Sequence, residues 1–329
     1  MELSVIIPAY NRERSIGGTI ESVLACGVAA EVVVVDDEST DRTAEVARGY
    51  GPAVTVLRQA NAGPAGARNT GFQHSTGSVI AFLDSDDVWA PGVIPDCLAF
   101  LQRHPEFDVL ACEALFGNAD AGYRPLSPVT GRGRFAELLT DPVEPGVYRL
   151  PRDPLVALMI ERMQVFLGST LIRRAALERP GGPFDPALFG GEDYELCLRL
   201  AASRRFAFAE RPLAQYEKHA GGISTDQERM SREFALAVRA VVRRPDLLTP
   251  AEWRVARQKY AELAFGYGYR AYDRGEYAEA RRRFAAALRD GGLKARTLAY
   301  WAACRLPAAA LRRLRRAKPA AARSGGPAA

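Results

Sequence analysis

The sequence predicts an α/β fold, a mixed, mostly parallel sheet flanked by helices, followed by an all-helical C-terminal extension. Three observations lead there. Short apolar runs at Leu3–Pro8, Glu31–Val35, Val54–Gln59 and Ser78–Leu83 alternate with segments of helical length, the pattern of a sheet covered on both faces. Acidic clusters follow two of these runs, at the strand ends where open α/β sheets bind ligands. From about Asp226 onward, only helical patterns remain.

The first strand, Leu3–Pro8, leads into a loop at Ala9-Tyr10-Asn11, and Ser15 has the chemistry of an N-cap for a helix reaching about Ala25. The second strand ends in Asp36-Asp37-Glu38-Ser39-Thr40-Asp41, with a helix from about Arg42. After the third strand, the Gly-rich loop at 61–69 runs into a helix that extends to about Ser75. The fourth strand delivers Asp84-Ser85-Asp86-Asp87. Residues 113–165 are rich in Gly, Pro and Arg with weak periodicity, and read as irregular, a flap around an acceptor.

Gly168–Ile172 resumes as strand. Leu196 and Leu200 stand at helical spacing, which puts Glu192 and Asp193 at a helix N-terminus after Gly190-Gly191. Phe206-Ala207-Phe208 starts another short strand, and Tyr216–Ser224 reads as a loop. Tyr260–Arg274 and Tyr277–Arg289 pair across Arg274-Gly275-Glu276 as an αα-hairpin, similar to one helical-repeat unit. The expected organisation is a catalytic body over 1–225, a helical extension over 226–304, and a basic helix with a disordered tail over 305–329.

The 329 residues are 48% hydrophobic and 25% charged, as in soluble globular proteins. No apolar run approaches the roughly 18–20 residues needed to cross a bilayer. No basic stretch precedes the first apolar run, which argues against a signal peptide. Five scattered cysteines without a C-x-x-C pair fit buried thiols in a reducing cytoplasm. The net charge of +5 is unevenly spread: residues 1–225 hold 21 Lys+Arg against 29 Asp+Glu, and residues 226–329 hold 23 against 10. Of the 44 basic residues 40 are arginine, which favours phosphate contacts. Nucleic acid could explain such an arm, but it carries no nucleic-acid-binding motif; an anionic membrane surface or a phosphorylated lipid carrier fits at least as well, and a solvated basic tail is the plainer alternative. Residues 305–318 are its basic core.

Asp84 and Asp86 lie two apart, and on an extended backbone they point the same way. Two hard oxygen donors on one side can share Mg²⁺ or Mn²⁺ with a diphosphate; an acidic turn capping backbone amides is the plainer alternative. Tyr10 can lie against a nucleobase or pack as a core tyrosine. Arg68 can reach phosphates from a Gly-rich helix start or sit as a solvated helix arginine. Glu192 and Asp193 can serve acid–base chemistry or cap a helix. Trp89 reads as structural, beneath the acid loop, and Asn69 as a brace for its own turn.

Five pieces in order resemble the family-2 glycosyltransferases, inverting nucleotide-sugar enzymes of GT-A fold, over roughly residues 3–224. They are Ser4-Val5-Ile6-Ile7-Pro8-Ala9-Tyr10-Asn11, Val34-Val35-Asp36-Asp37-Glu38-Ser39-Thr40-Asp41, Ala67-Arg68-Asn69-Thr70-Gly71, Asp84-Ser85-Asp86-Asp87 and Gly191-Glu192-Asp193. The family usually has Gly where this chain has Glu38. The resemblance implies donor contacts from Pro8, Ala9, Tyr10, Asp37, Arg68, Asp84 and Ser85, with Asp37 recognising the base and Asp36 capping the turn. It implies a divalent metal, Mn²⁺ or Mg²⁺, on Asp86 with Asp84, and His219 completing the metal shell or touching the diphosphate. A lone loop histidine is more often a plain surface residue. The resemblance makes Asp193 the general base, with Glu192 positioning it or the acceptor.

The expected reaction moves a sugar from a nucleotide-sugar donor, a UDP-sugar, to a saccharide, lipid-linked or other hydroxyl acceptor in cell-surface polysaccharide or glycoconjugate synthesis. The expected setting is the cytoplasm, peripheral to the inner face of the plasma membrane. Two alternatives stay open. A nucleotidyltransferase resembles others of its kind in a Gly-rich, Arg-containing loop directly after the first strand, where this chain reads Ala9-Tyr10-Asn11-Arg12-Glu13. A catalytically inactive nucleotide-sugar-binding or scaffold protein would have lost an acidic site residue, yet Asp37, Asp84, Asp86 and Asp193 are all present.

Overall fold

A computed structural model describes residues 1–118, 122–125, 133–188, 190–217 and 227–306. The chain divides into two compact units, Met1–Asp226 and Gln227–Ala329.

The first unit opens with β1 (Leu3–Ala9), α1 (Ile16–Leu24), β2 (Ala30–Asp37), α2 (Thr43–Arg48), β3 (Val54–Gln59), α3 (Gly63–His74) and β4 (Val79–Phe82). It continues through β5 (Val88–Trp89), α4 (Ile94–Arg103), β6 (Val109–Asn118), β7 (Gly122–Pro125), β8 (Asp141–Glu144), β9 (Val147–Leu150) and α5 (Arg152–Glu161). β10 (Thr170–Arg173), α6 (Glu192–Ser203) and β11 (Phe206–Glu217) complete it, with short helical turns at Gly133–Ala136 and Arg174–Leu177. The described strands join one sheet in the order β3-β2-β1-β4-β10-β6-β11-β9-β8, with β5 on β11 and β7 on β6. β1–β4 form a parallel core, and β10 enters it antiparallel to β4. Every residue of β1 is buried, as in parallel strands covered on both faces.

The winding direction reverses at β1, which has β2 on one side and β4 on the other, and a ligand crevice opens at such a reversal. Pairing of β1 with β4 runs only to Ile6↔Phe82, whereas pairing with β2 continues to Ala9↔Asp36. The last shared bond on the β4 side is Leu83 N–H to the Ile6 carbonyl, 3.0 Å. Pro8, two residues on and facing the same side, has no N–H to offer and falls where the strands have parted. Gly71 lets α3 lie close on this core: a Cβ there would come within 2.4 Å of Ile6 Cγ2 and 3.3 Å of Val35 Cγ2.

Two expectations are corrected. Residues 113–165 are not irregular throughout, because β6, β7, β8, β9 and α5 occupy most of the described part. Here Pro142 and Pro154, together with short paired strands, hide the usual periodicity. The strand that Phe206 starts is not short; β11 runs to Glu217, so Tyr216 belongs to it and not to the following loop. Register shifts at Ala209/Pro212 and Pro212/Ala214 absorb Glu210-Arg211-Pro212, which breaks the apolar alternation in sequence. All five cysteines are buried and free.

The second unit is helical over its described residues: α7 (Gln227–Val242), α8 (Pro250–Arg274), α9 (Tyr277–Gly291) and α10 (Ala295–Ala303). A capping box between Thr249 and Glu252 starts α8, and Gly275 in the left-handed region (φ 86°) ends it. The hairpin closes over Phe265, Tyr272 and Phe284, with Tyr300 of α10 against Phe265 and Phe284. No described helix is long and apolar enough to cross a membrane. The segment 307–329, including the expected basic helix and tail, lies outside the described residues.

Candidate active site

Three groups of side chains meet the crevice from different elements. The first lies beyond β1 and β2. Tyr10 leaves β1 with 48% of its surface exposed, not packed as a core tyrosine. The two strand ends are tied together: Asn11 N–H donates to Ser39 Oγ at 2.9 Å, and Thr40 N–H donates to Asn11 Oδ1 at 2.9 Å. Asp36 is fully buried, accepts from Ser39 N–H at 3.2 Å, and pairs with Arg58 Nε at 3.3 Å, so it does cap the turn. Asp37 is buried too, and its Oδ1 accepts from Gln59 Nε2 at 2.7 Å and Ala62 N–H at 2.9 Å. Glu38 sits at φ 69°, a left-handed conformation that favours glycine, and its Oε2 accepts from Asn61 N–H at 3.1 Å.

The second group is the acid loop after β4. It is a turn, closed by Asp87 N–H to the Asp84 carbonyl at 3.0 Å, so Asp84 and Asp86 do not alternate on an extended strand. Each carboxylate has its own cation. Asp84, with 48% of its side chain exposed, takes Arg68 Nη2 at 2.6 Å, and Asp86, 29% exposed, lies 3.4 Å from Arg12 Nε. Ser85 and Asp87 are buried, and Thr19 Oγ1 donates to the Asp87 carbonyl at 2.8 Å. Trp89 is buried and donates from its indole to the Gly168 carbonyl at 3.0 Å, which makes it structural as expected.

The third group is the start of α6. Gly190 (φ 115°) and Gly191 (φ 73°) turn the chain into the helix through conformations that side chains resist, and Glu192 and Asp193 follow at once. Glu192 is buried and accepts from Arg68 Nη1 at 2.6 Å. One guanidinium, itself only 4% exposed, therefore joins the acid loop to the helix start. The solvated-arginine alternative is excluded. Burial pulls the Arg68 pKa down, but Asp84, Glu192 and Asp193 outweigh it and hold the group above its ordinary value. Asp193 Oδ1 accepts from Tyr194 N–H at 2.7 Å. Burial first, and then the neighbouring Glu192 carboxylate, push Asp193 up to about 7 against the opposing pull of Arg68. A carboxyl tuned there can accept a proton near neutral pH.

Among the described residues, no three His, Cys, Asp or Glu are grouped to hold a metal ion. Asp84 and Asp86 carry partly exposed oxygens, so they fit a hard divalent cation whose remaining ligands come from a diphosphate, and not a cation held by protein alone. His219 lies outside the described residues.

Sequence reasoning missed three features. Arg12 beside Asp86 gave no signal beyond its charge. Asn69 does not brace its own turn; it is hydrogen-bonded to Phe184, 115 residues away. Phe116 stacks on Tyr216 at 5.5 Å and Phe166 meets Tyr216 edge-on at 5.8 Å, an aromatic group brought together by β6, β11 and the segment before β10.

Residues 4–157 match the family described as Glycosyl transferase family 2. The chain is 32% identical over 206 residues to Succinoglycan biosynthesis protein ExoU of Rhizobium meliloti, covering 61% of this chain and 57% of that protein. It thus spans less than two thirds of the length of the curated relatives it matches. Among solved structures, S. aureus TarS 1–349 in complex with UDP superposes with TM-score 0.62 at 20% identity, covering 97% of this chain and 93% of that one. The mannosyltransferase PcManGT from Pyrobaculum calidifontis, in complex with GDP-Man and Mn²⁺, gives TM-score 0.57 at 19% identity, with 96% and 88% covered. The crevice at the β1/β4 reversal, the acid loop and the acidic helix start stand in a fold shared with glycosyltransferases: residues 4–157 match glycosyltransferase family 2, and the first unit has the GT-A fold.

Proposed function

We propose that this glycosyltransferase transfers a sugar from a UDP-sugar to a hydroxyl of a cell-surface saccharide or its lipid-linked precursor, with inversion at the anomeric carbon. The observation that carries the proposal is the Arg68 bridge, which places the acid loop and the acidic start of α6 on either side of one crevice. Tyr10 is exposed and would lie on the uracil ring, beside the backbone of Pro8 and Ala9, while the buried Asp37 carboxylate would accept the imide N–H. Asp84, partly exposed, and the neighbouring Ser85 would contact the donor's ribose and diphosphate. Asp86 and Asp84 would hold Mn²⁺ or Mg²⁺ together with the diphosphate, and the cation would supply charge stabilisation at the leaving group.

Asp193 takes the proton of the acceptor hydroxyl as that oxygen bonds to the anomeric carbon. The bond from that carbon to the diphosphate oxygen breaks, and its electron pair leaves with UDP. Both Nη atoms of Arg68 are engaged by carboxylates, so it would orient Asp84 toward the cation and hold Glu192 beside the base. The biosynthetic role of the relative ExoU supports a polysaccharide acceptor, and the UDP complex of TarS supports the donor class. Residues 305–318, largely outside the described residues, would dock the enzyme on anionic lipid at the cytoplasmic membrane face, near such an acceptor.

The test is UDP release from UDP-glucose, UDP-galactose and UDP-N-acetylglucosamine with Mn²⁺ or Mg²⁺. The expected result is turnover of one donor that disappears on chelation and in Asp86→Ala. Turnover of none, together with no UDP binding by calorimetry, would refute the proposal in favour of a scaffold protein.

A further inference from the structure

We propose that Asn69 is a positioning residue for this reaction: by clasping the main chain of Phe184, it sets the Glu192–Asp193 helix start against the acid loop. The inference rests on the proposed role of Asp193. Asn69 Nδ2 donates to the Phe184 carbonyl at 2.9 Å, and Phe184 N–H donates back to Asn69 Oδ1 at 2.9 Å. The amide thus uses both ends on one residue, as a strand partner would, and both residues are buried. The segment comes so close that a Cβ on Gly182 (φ 93°) would stand 2.6 Å from Asn69 Oδ1.

The same segment is gripped from the other side. Arg199 of α6 donates from Nη2 to the Pro183 carbonyl at 2.5 Å and pairs with Glu195 at 3.0 Å. The Phe184 ring wedges between the two halves of the site: it meets Phe82, the last residue of β4, edge-on at 4.9 Å, and lies 5.4 Å from the Arg68 guanidinium. Residues 182–184 are therefore fixed to both α3 and α6, seven residues or so before Gly191 starts the base helix. Arg68 and Asn69, neighbours on α3, divide the work. Arg68 links the carboxylates themselves, whereas Asn69 touches only main chain and no reacting atom. A small loosening at Phe184 would move Asp193 relative to the donor, and misplacements of about 1 Å cost on the order of a hundredfold in rate.

The test compares wild type with Asn69→Ala and Asn69→Asp. The aspartate keeps the acceptor for Phe184 N–H and turns a carboxylate toward the Phe184 carbonyl, so it is informative even if the alanine variant fails to fold. Three quantities are measured: hydrogen–deuterium exchange, UDP affinity by calorimetry, and UDP release from the donors named above. We expect faster exchange confined to peptides spanning 182–196, UDP affinity within about twofold of wild type, and kcat about 10–100-fold lower. Unchanged exchange, wild-type kcat despite faster exchange, or a loss of UDP affinity matching the loss of kcat would each overturn the proposal. If wild type turned over no donor, the reaction itself would fail and Asn69's role in it would fall too, while the exchange data would still report on the clasp.

Discussion

Replacing Glu192 with Gln should lower the pH at which the enzyme gains activity. Asp193 stands at about 7 against an ordinary 3.8, raised by burial and then by the Glu192 carboxylate. A like charge in direct proximity typically accounts for about 1 unit or more. Gln keeps the shape and an oxygen for Arg68 Nη1, so the bridge survives while the charge goes. It also leaves more of the Arg68 charge to act on Asp193, and both effects lower the Asp193 pKa. With the base at about 7, about 9% of it is ionised at pH 6; at about 6, about half is. The rate at pH 6, relative to each enzyme's own plateau, should therefore rise about fivefold in Glu192→Gln. The assay is initial-rate UDP release between pH 5 and 9 at saturating donor, read as the midpoint of the acid limb. A midpoint that stayed in place or moved upward would show that Asp193 does not set the limb.

Asp193→Asn should abolish transfer yet stabilise the fold. The folded-state pKa lies above the unfolded one, so the native protein binds the extra proton between about 4 and 7 and loses stability as pH rises through that window. The variant's advantage in chemical denaturation should grow from pH 4 to 7, level off above, and reach about 1–3 kcal/mol; equal stability at pH 8 would contradict it. Gly71→Ala should cost about 1–3 kcal/mol in urea unfolding, because its methyl would meet Ile6 Cγ2 at 2.4 Å, and a neutral result would place α3 farther from β1. Glu38→Gly should cost less than about 0.5 kcal/mol, because φ 69° already penalises the side chain, and a loss above 1 kcal/mol would assign real weight to the Asn61 contact. Truncation after Leu306 should reduce co-sedimentation with phosphatidylglycerol vesicles severalfold; unchanged binding would remove the basic segment from membrane docking.

The first half of the fold was readable because β1, β2 and β4 have mostly apolar stretches that end in polar turns, so composition alone separates strand from loop there. The residues after β1, β2 and β4 were readable for the same reason. What could not be read was distance across the sequence. Arg68 looks like an exposed helix arginine until Glu192, 124 residues later, is folded against it. Asn69 likewise gave no hint of Phe184. β11 was hidden because its bulges at Pro212 interrupt the alternation on which strand recognition depends. Glu38 is the reverse case: glycine is usual at this position in the family, and the left-handed φ gives the physical reason.

The most direct test of the central claim, that Asp193 is the base of a glycosyl transfer run in this crevice, compares Asp193→Ala with wild type for UDP affinity and for transfer to a saccharide acceptor. The account predicts UDP affinity within about twofold and kcat lower by about 10²–10⁴. Transfer at a wild-type rate would contradict it.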